Sequence, residues 1–193
     1  MVPVLVFATH NAHKLEEVQA MIGEGFLLKS LSDIGFQEDI EETGTSFEAN
    51  AAIKSKAIFD RFGLNCFADD SGLVVDALDG APGVYSARYS GSRDAQTNLE
   101  LVLRNMQGKT ERSARFVSVI SLIWEGEHQL FKGVVEGTIT ESAAGVGGFG
   151  YDPIFVPKGY ACTFAELDAE EKNRISHRGQ AMQQLLDFLK QQL

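Results

Sequence analysis

The sequence predicts a mixed α/β fold, in which helices and strands are interspersed, and three observations carry that prediction. Residues 2–8 form a continuous apolar run, which predicts a buried strand. Asn11 is then a candidate N-cap, and Leu15, Val18 and Ile22 repeat after it at helical spacing. Strand-like and helix-like segments go on alternating to the C-terminus, so both kinds of element share one sheet-based architecture. The 193 residues suffice for a single domain, 1–193, or for two small lobes of it.

The remaining elements follow from periodicity and from turn residues. Thr45-Ser46-Phe47-Glu48 has the pattern of a capping box and predicts a helix to about Phe62. Glu125-Gly126-Glu127 separates two β-rich runs and predicts a hairpin. Further helices are expected at 94–106 and 176–191, and strands at 26–31, 65–68, 73–78, 114–124, 129–140 and 154–156.

Charge and cysteine content limit the partners and the compartment. The chain has 17 Lys and Arg against 27 Asp and Glu, a net charge of −10, which disfavours binding to nucleic acid polymers or anionic membranes. Cys66 and Cys162 are far apart and fit no metal spacing, so we expect two reduced thiols. The apolar start is too short for a membrane span and lacks the features of a signal peptide, so we expect a cytoplasmic protein.

Residues 145–150 match the dinucleotide-binding pattern G-x-G-x-x-G letter for letter. That fingerprint needs a helix opening inside it, whereas Tyr151-Asp152-Pro153 and an apparent strand follow here. A Rossmann interpretation is therefore rejected. The four glycines instead allow the backbone to approach a ligand closely, and Phe149 offers a flat face for a planar base, although a flexible loop would have the same composition.

Thr9-His10-Asn11-Ala12-His13-Lys14 lies where the first strand leads into the first helix. Free backbone N–H groups and the helix dipole make such a junction an anion site, to which Thr9, Asn11 and Lys14 add donors. Simple capping by Asn11 beside an exposed Lys14 is the alternative. On the helix that ends near Phe62, Asn50, Lys54 and Arg61 fall in a polar stripe at the edge of the apolar face, where Lys54 either lines a pocket or snorkels to solvent.

Two acidic segments are candidates for a metal site. Asp69-Asp70-Ser71-Gly72 is expected to be a turn at a strand end, where adjacent carboxylates repel unless a cation or backbone donors compensate them. Mg²⁺ prefers a few carboxylates together with phosphate oxygens. Glu41-Glu42-Thr43-Gly44 joins such a site only if the fold brings it to Asp70, and is otherwise a solvated loop.

Basic residues gather at the start of the last helix, where Lys172 precedes Ser176-His177-Arg178-Gly179. Cations oppose the helix dipole there, and the guanidinium of Arg178 suits a carbonyl or a phosphate. Basic donors, carboxylates that could hold a metal and an aromatic platform together indicate a nucleoside triphosphate site.

The sequence resembles the Ham1/RdgB family of inosine/xanthosine triphosphate pyrophosphatases over nearly its whole length. The resemblance rests on T-x-N-x-x-K ending at Lys14, E-T-G from Glu42, F-E-A-N-A-x-x-K ending at Lys54, and A-D-D-S-G-L-x-V-D-A-L-x-G-A-P-G-V-Y-S-A-R-Y from residue 68. G-G-F-G-Y-D-P from residue 147 and S-H-R-G-Q-A from residue 176 complete it. His10 stands where many members have glycine.

The resemblance implies a fold of two lobes around a central cleft with an elongated mixed sheet, the architecture of the Maf and Ham1 proteins, usually as a homodimer. It implies Mg²⁺-dependent hydrolysis of ITP, dITP and XTP to the monophosphate and pyrophosphate. By position, Asp70 is the general base and, with Glu42, a metal ligand. The substrate-binding positions are Thr9, Asn11, Lys14, Lys54, Ser71, Phe149, Gly150, Tyr151, Asp152, Lys172, His177 and Arg178.

Two other functions remain open from the sequence. One is a Maf-like nucleotide pyrophosphatase with a different base preference. The other is a nucleotide-binding sensor without catalysis, although binding alone does not require a base such as Asp70.

Overall fold

The computed structural model describes residues 2–22 and 25–192, which form eleven helices and strands. In chain order they are β1 (Val4–Phe7), α1 (Ala12–Ile22), β2 (Leu27–Lys29), α2 (Phe47–Phe62), β3 (Cys66–Val75), α3 (Ala95–Asn105), β4 (Ser113–Trp124), β5 (Glu127–Ile139), β6 (Phe155–Pro157), α4 (Ala169–Ile175) and α5 (His177–Lys190). Short 3₁₀ helices lie at Ser32–Ile34, Asp76–Leu78, Gly83–Arg88 and Asp152–Ile154.

The six strands form one sheet in the order β2-β1-β3-β4-β5-β6. β1 pairs in parallel with β2 and β3, whereas β5 and β6 are antiparallel. Glu125 and Gly126 connect β4 to β5 with positive φ angles of 51° and 87°, as a two-residue hairpin turn requires. The predicted mixed α/β class and the hairpin are thereby confirmed.

The chain divides into two compact units. The first unit contains the residues up to Asp70, Ser118–Lys132 and the residues from Gly179 onward. The second contains Ser71–Val117 and Gly133–Arg178. The boundary crosses three strands, so β3, β4 and β5 each contribute residues to both units.

In the first unit, the side chains of β1 alternate between two cores. Leu5 and Phe7 pack with apolar residues of α1 and α5, while Val6 and Ala8 pack with Ile58 of α2. Neighbouring strand residues point to opposite faces, so a strand buried on both faces reads as one apolar run. This explains why residues 2–8 show no polar alternation, and it places α2 on one face of the strand and α1 with α5 on the other.

The second unit has its own core, which is rich in aromatic rings. Leu99, Val102 and Met106, on and just after α3, pack with Leu73 and Val75 of β3 in a cluster of fully or nearly fully buried residues. Phe116, Phe155 and Phe164 belong to the same cluster, with ring centroids 4.7–5.8 Å apart. This core supports the glycine-rich segment that carries Phe149, because Tyr151 and Ile154 are part of it.

Three local features differ from what the sequence predicts. The predicted turn at residues 69–72 does not exist, because β3 runs without interruption from Cys66 to Val75. The capping-box pattern makes Thr45 the N-cap of α2, whereas the N-cap in the structure is Ser46, whose hydroxyl accepts the N–H of Ala49. α4 was not expected, although Asp168 caps it by accepting the N–H of Glu171.

Of the helices in the described part of the chain, none combines the length and the apolar character that a membrane crossing requires.

Candidate active site

Strand alternation in β3 separates the two adjacent aspartates of the first unit. Asp70 lies on the same face as Cys66 and Ala68, which pack against α2, whereas Asp69 shares the face of Phe67, which packs with α1 and α5. Each aspartate therefore meets a different helix. Both are buried, with Asp69 2% and Asp70 6% exposed.

Asp69 pairs with the lysine in the first turn of α1. The Nζ atom of Lys14 lies 2.9 Å from both carboxylate oxygens of Asp69. Asn11 caps this helix, since its Oδ1 accepts the N–H of Lys14, and Thr9 Oγ1 accepts the N–H of Asn11. The capping expected of Asn11 is present, but Lys14 is held by a buried carboxylate and is not an exposed side chain.

His10 ties this junction to the segment before α2. Its Nε2 lies 3.0 Å from the carbonyl oxygen of Glu38, and because a carbonyl only accepts, the imidazole donates. The ring also stacks on Phe36 with centroids 6.4 Å apart. The histidine therefore supplies a contact that a glycine at this position would lack.

Asp70 meets Asn50 of α2. The amide Nδ2 of Asn50 donates to Asp70 Oδ2 at 3.1 Å. Burial raises the pKa of Asp70, and the negative charge of Glu42 adds to that effect, whereas Lys54, Lys14 and the bond from Asn50 oppose it. A carboxyl with a raised pKa beside two ammonium groups is a suitable acceptor for a proton from water.

Glu42 joins the same group through Lys54. The Lys54 Nζ donates to Glu42 Oε1 at 2.5 Å, and both side chains are largely buried. Asn50 also holds the segment that carries Glu42, because its Oδ1 accepts the N–H of Gly44 at 2.8 Å. The E-T-G segment and Asp70, which are distant in sequence, therefore converge on one side chain of α2.

In the second unit, two cations lie over the ring of Phe149. The Nζ of Lys172 is 4.9 Å from the ring centroid, and the guanidinium carbon of Arg178 is 5.4 Å from it. Arg178 also donates to Ser71 Oγ at 3.1 Å. The ring itself is half-buried, so part of its surface is open to solvent.

Asp152 holds both the backbone of Phe149 and the side chain of Lys172. Its Oδ2 accepts the N–H of Phe149 at 2.8 Å and lies 2.8 Å from the Nζ of Lys172. A Cβ on Gly148 would lie 2.1 Å from the same oxygen, and Gly148 has a φ of +69°. Glycine is therefore required at that position on both counts.

The remaining predicted residues of the second unit are Tyr151, His177 and Gly150. Tyr151 is buried and donates its hydroxyl to the Ser86 carbonyl at 2.7 Å, and burial raises its pKa, so the phenol stays neutral. His177 is buried and stacks on Phe116 with centroids 4.7 Å apart. Gly150 has a φ of +63° in the turn beside Phe149.

The structure thus gathers the predicted residues into two groups. Lys14, Glu42, Lys54 and Asp70 form the first, which we call the carboxylate–lysine cluster. Phe149, Asp152, Lys172 and Arg178 form the second, which we call the aromatic cluster. Asn50 was not among the predicted site residues, although it stands in the same polar stripe of α2 as Lys54, and Asp69 was considered only as part of the acidic segment 69–72.

Carboxylates beside ammonium groups in one unit, and an aromatic ring flanked by cations in the other, are the chemistry of a nucleotide-binding α/β protein. The model of the Ham1 family matches residues 5–188. The chain belongs to the Ham1 family.

Individual relatives match this chain over almost its full length. The chain is 48% identical over 186 residues to a dITP/XTP pyrophosphatase of Christiangramia forsetii, covering 96% of this chain and 98% of that protein. It is 50% identical over 189 residues to a dITP/XTP pyrophosphatase of Halalkalibacterium halodurans, covering 95% and 97%. The solved structure of the Staphylococcus aureus Ham1 protein superposes with a TM-score of 0.90 at 40% identity, covering 98% of this chain and 100% of that one.

Proposed function

We propose that this protein hydrolyses the non-canonical purine nucleoside triphosphates ITP, dITP and XTP to the nucleoside monophosphate and pyrophosphate. The observation that carries the proposal is the buried Asp70 carboxylate, held by Asn50 and influenced by Lys14, Lys54 and Glu42. Relatives at about half identity bear the name dITP/XTP pyrophosphatase, which supports the same chemistry here.

The donor set of the carboxylate–lysine cluster fits Mg²⁺. Across residues 2–22 and 25–192, no group of three or more His, Cys, Asp or Glu side chains is arranged to hold a metal. The cluster supplies the two carboxylates of Asp70 and Glu42, and Mg²⁺ takes one or two protein carboxylates while it keeps phosphate oxygens and waters. Asp70 and Glu42 would hold it, and the ion would neutralise charge on the phosphate chain.

The chain's own residues account for the remaining steps. Asp70 orients a water molecule and accepts its proton as the water oxygen bonds to the α-phosphorus. The bond between the α-phosphorus and the bridging oxygen breaks, and the electron pair leaves with pyrophosphate. Lys14 and Lys54, with Thr9 and Asn11, would bind the phosphates, and the lysines stabilise the charge that develops on the leaving group.

The aromatic cluster would bind the base. Phe149 offers the stacking surface, Arg178 and Lys172 lie over its ring as donors, and His177, which stacks on Phe116, would be a third donor to the base. Hypoxanthine and xanthine carry a 6-oxo acceptor, whereas adenine carries an amino donor that would leave such donors without a partner. Gly150, Tyr151 and Asp152 would complete the base-binding surface beside Phe149, Tyr151 and Asp152 through the backbone they hold. Ser71 would contact the substrate.

The cellular setting follows from the same proposal. An enzyme of this kind would remove deaminated purine nucleotides from the nucleotide pool of the cytoplasm. We propose that the whole chain, 1–193, acts as one catalytic domain and assembles as a homodimer, and that its net charge of −10 keeps it away from nucleic acid polymers and membranes.

A hydrolysis panel tests the proposal. Purified protein with Mg²⁺ is given ITP, dITP, XTP, GTP, dTTP and UTP, and both pyrophosphate and orthophosphate are measured. We expect pyrophosphate from ITP, dITP and XTP at much higher kcat/KM than from the other three. A preference for dTTP or UTP would support a Maf-like enzyme instead, and binding of ITP without pyrophosphate release would support a sensor.

A further inference from the structure

Asn50 is an amide buried in the interior of the first unit. It lies in the first half of α2 and has no exposed surface. An amide removed from water destabilises the fold unless its donors and acceptor are bonded. Its neighbours on the buried side of α2 are the small or apolar residues Ala51, Ser55 and Ile58, so an apolar side chain would be the ordinary choice here.

The two ends of this amide have different partners. Oδ1 accepts the N–H of Gly44 at 2.8 Å, and Nδ2 donates to Asp70 Oδ2 at 3.1 Å. The orientation of the amide is fixed, because a backbone N–H needs an acceptor and an ionised carboxylate needs a donor. An ionised aspartate could serve only the first partner and would repel the Asp70 carboxylate, and an apolar side chain would serve neither.

Gly44 is shaped to receive this contact. A Cβ at that position would lie 2.6 Å from Asn50 Oδ1 and 2.7 Å from the Cβ of Ala49. The Gly44 backbone therefore approaches the side-chain amide of Asn50 more closely than it could if position 44 carried a side chain. Gly44 stands two residues after Glu42, so the bond anchors the segment that carries this carboxylate.

We infer that Asn50 is a positioning residue that fixes the Asp70 carboxylate and the Glu42–Gly44 segment relative to each other. The inference rests on the proposed function, in which Asp70 is the base and Glu42 its partner. In this role Asn50 acts through Asp70 and the Gly44 backbone, because its amide holds one carboxylate oxygen of Asp70.

The test compares Asn50→Asp with Asn50→Leu, and uses Ser55→Ala as the matched control. Ser55 is a second fully buried polar residue of α2, and its hydroxyl bonds to Ser121, 2.7 Å away, outside the cluster. Each variant is assayed for kcat and KM with ITP and Mg²⁺, and for thermal unfolding. The Gly44 amide resonance is followed by NMR without nucleotide.

The expected pattern separates the two ends of the amide. Asn50→Asp keeps the acceptor for Gly44, so the Gly44 resonance stays close to its wild-type position while kcat falls by about 100-fold with KM little changed. Asn50→Leu loses both contacts, so kcat falls and the Gly44 resonance moves. Ser55→Ala lowers the unfolding temperature without lowering kcat.

Two results would overturn the inference: wild-type kcat in Asn50→Asp, or a loss of kcat in Ser55→Ala that matches the loss in Asn50→Asp. Either result leaves an active wild-type enzyme, so the proposed function would stand. A wild-type protein that releases no pyrophosphate from any triphosphate would instead remove the proposed function, and the inference with it.

Discussion

The buried ion pair of the aromatic cluster gives the sharpest stability prediction. Lys172 and Asp152 have side chains only 7% and 5% exposed, and their charged atoms are 2.8 Å apart. Lys172→Met keeps the aliphatic stem but leaves the Asp152 carboxylate buried without its cation. Removing one partner of a buried pair costs about 3–5 kcal/mol, and the lost cation–π contact with Phe149 adds roughly 0.5–1 kcal/mol.

Thermal unfolding followed by circular dichroism measures this loss. For a chain of this size, each kcal/mol corresponds to about 2–4 °C in Tm, so the combined loss should make Lys172→Met melt roughly 7–24 °C lower. Lys132→Met is the matched control, because the Lys132–Glu48 pair is exposed (54% and 39%) and such pairs contribute about 0–1 kcal/mol.

A second variant shows whether the unpaired charge is the cause. Asp152→Asn combined with Lys172→Met removes both charges, while the amide oxygen of the introduced asparagine can still accept the Phe149 N–H. The double variant should therefore be more stable than Lys172→Met alone. The reasoning is refuted if Lys172→Met loses no more stability than Lys132→Met, or if the double variant is the least stable of the series.

Three further predictions concern single residues. Asp70→Asn should lower kcat for ITP by about 10²–10⁴-fold. Near-normal turnover in this variant would contradict the role of Asp70 as base. Burial in the fold raises the pKa of Asp70, so the ionised carboxylate opposes folding. The free energy of unfolding of the wild type should therefore fall relative to that of Asp70→Asn as pH rises through the acid range. Phe149→Ala should lower kcat/KM for ITP by roughly 5- to 150-fold, the equivalent of ~1–3 kcal/mol of stacking, and narrow the preference for ITP over GTP; unchanged values for both nucleotides would exclude stacking there. Burial raises the pKa of the Cys66 thiol to about 12, so iodoacetamide at pH 8 should alkylate Cys162 alone in the native protein, and equal labelling of both thiols by mass spectrometry would disprove this.

Local signals predicted the elements whose ends are set by neighbouring residues. Asn11 was expected to cap α1, and its side chain does bond the N–H of Lys14. The hairpin was equally readable, because Gly126 lies between two β-rich runs and glycine readily adopts the positive φ that the turn needs. Periodicity and capping act over three or four residues, so they are visible in the sequence itself.

The polar stretch within β3 was misread because its compensation is long-range. Two adjacent aspartates resemble a turn when only their neighbours are considered. In the structure Asp69 is neutralised by Lys14, 55 residues away, and Asp70 is bonded by Asn50, 20 residues away. Only the fold brings Lys14 and Asn50 to β3, so rules based on neighbouring residues could not predict one uninterrupted strand there.

The helix α4 was missed although its signals were present. Asp168 stands before an acidic first turn, as a good N-cap does, but the helix has only seven residues and lacks a clear apolar stripe.

Asn50 is a residue whose position on its helix was predicted but whose burial was not. Helix geometry placed it at the edge of the apolar face, whereas its burial depends on Gly44 and Asp70.

The central claim is that water held by Asp70 attacks the α-phosphorus of a purine nucleoside triphosphate. Hydrolysis of ITP in water enriched in ¹⁸O, with mass spectrometry of the products, tests it directly. We predict that the label enters inosine monophosphate and that pyrophosphate carries none. Label in pyrophosphate, or release of labelled orthophosphate, would place the attack at another phosphorus and contradict the account.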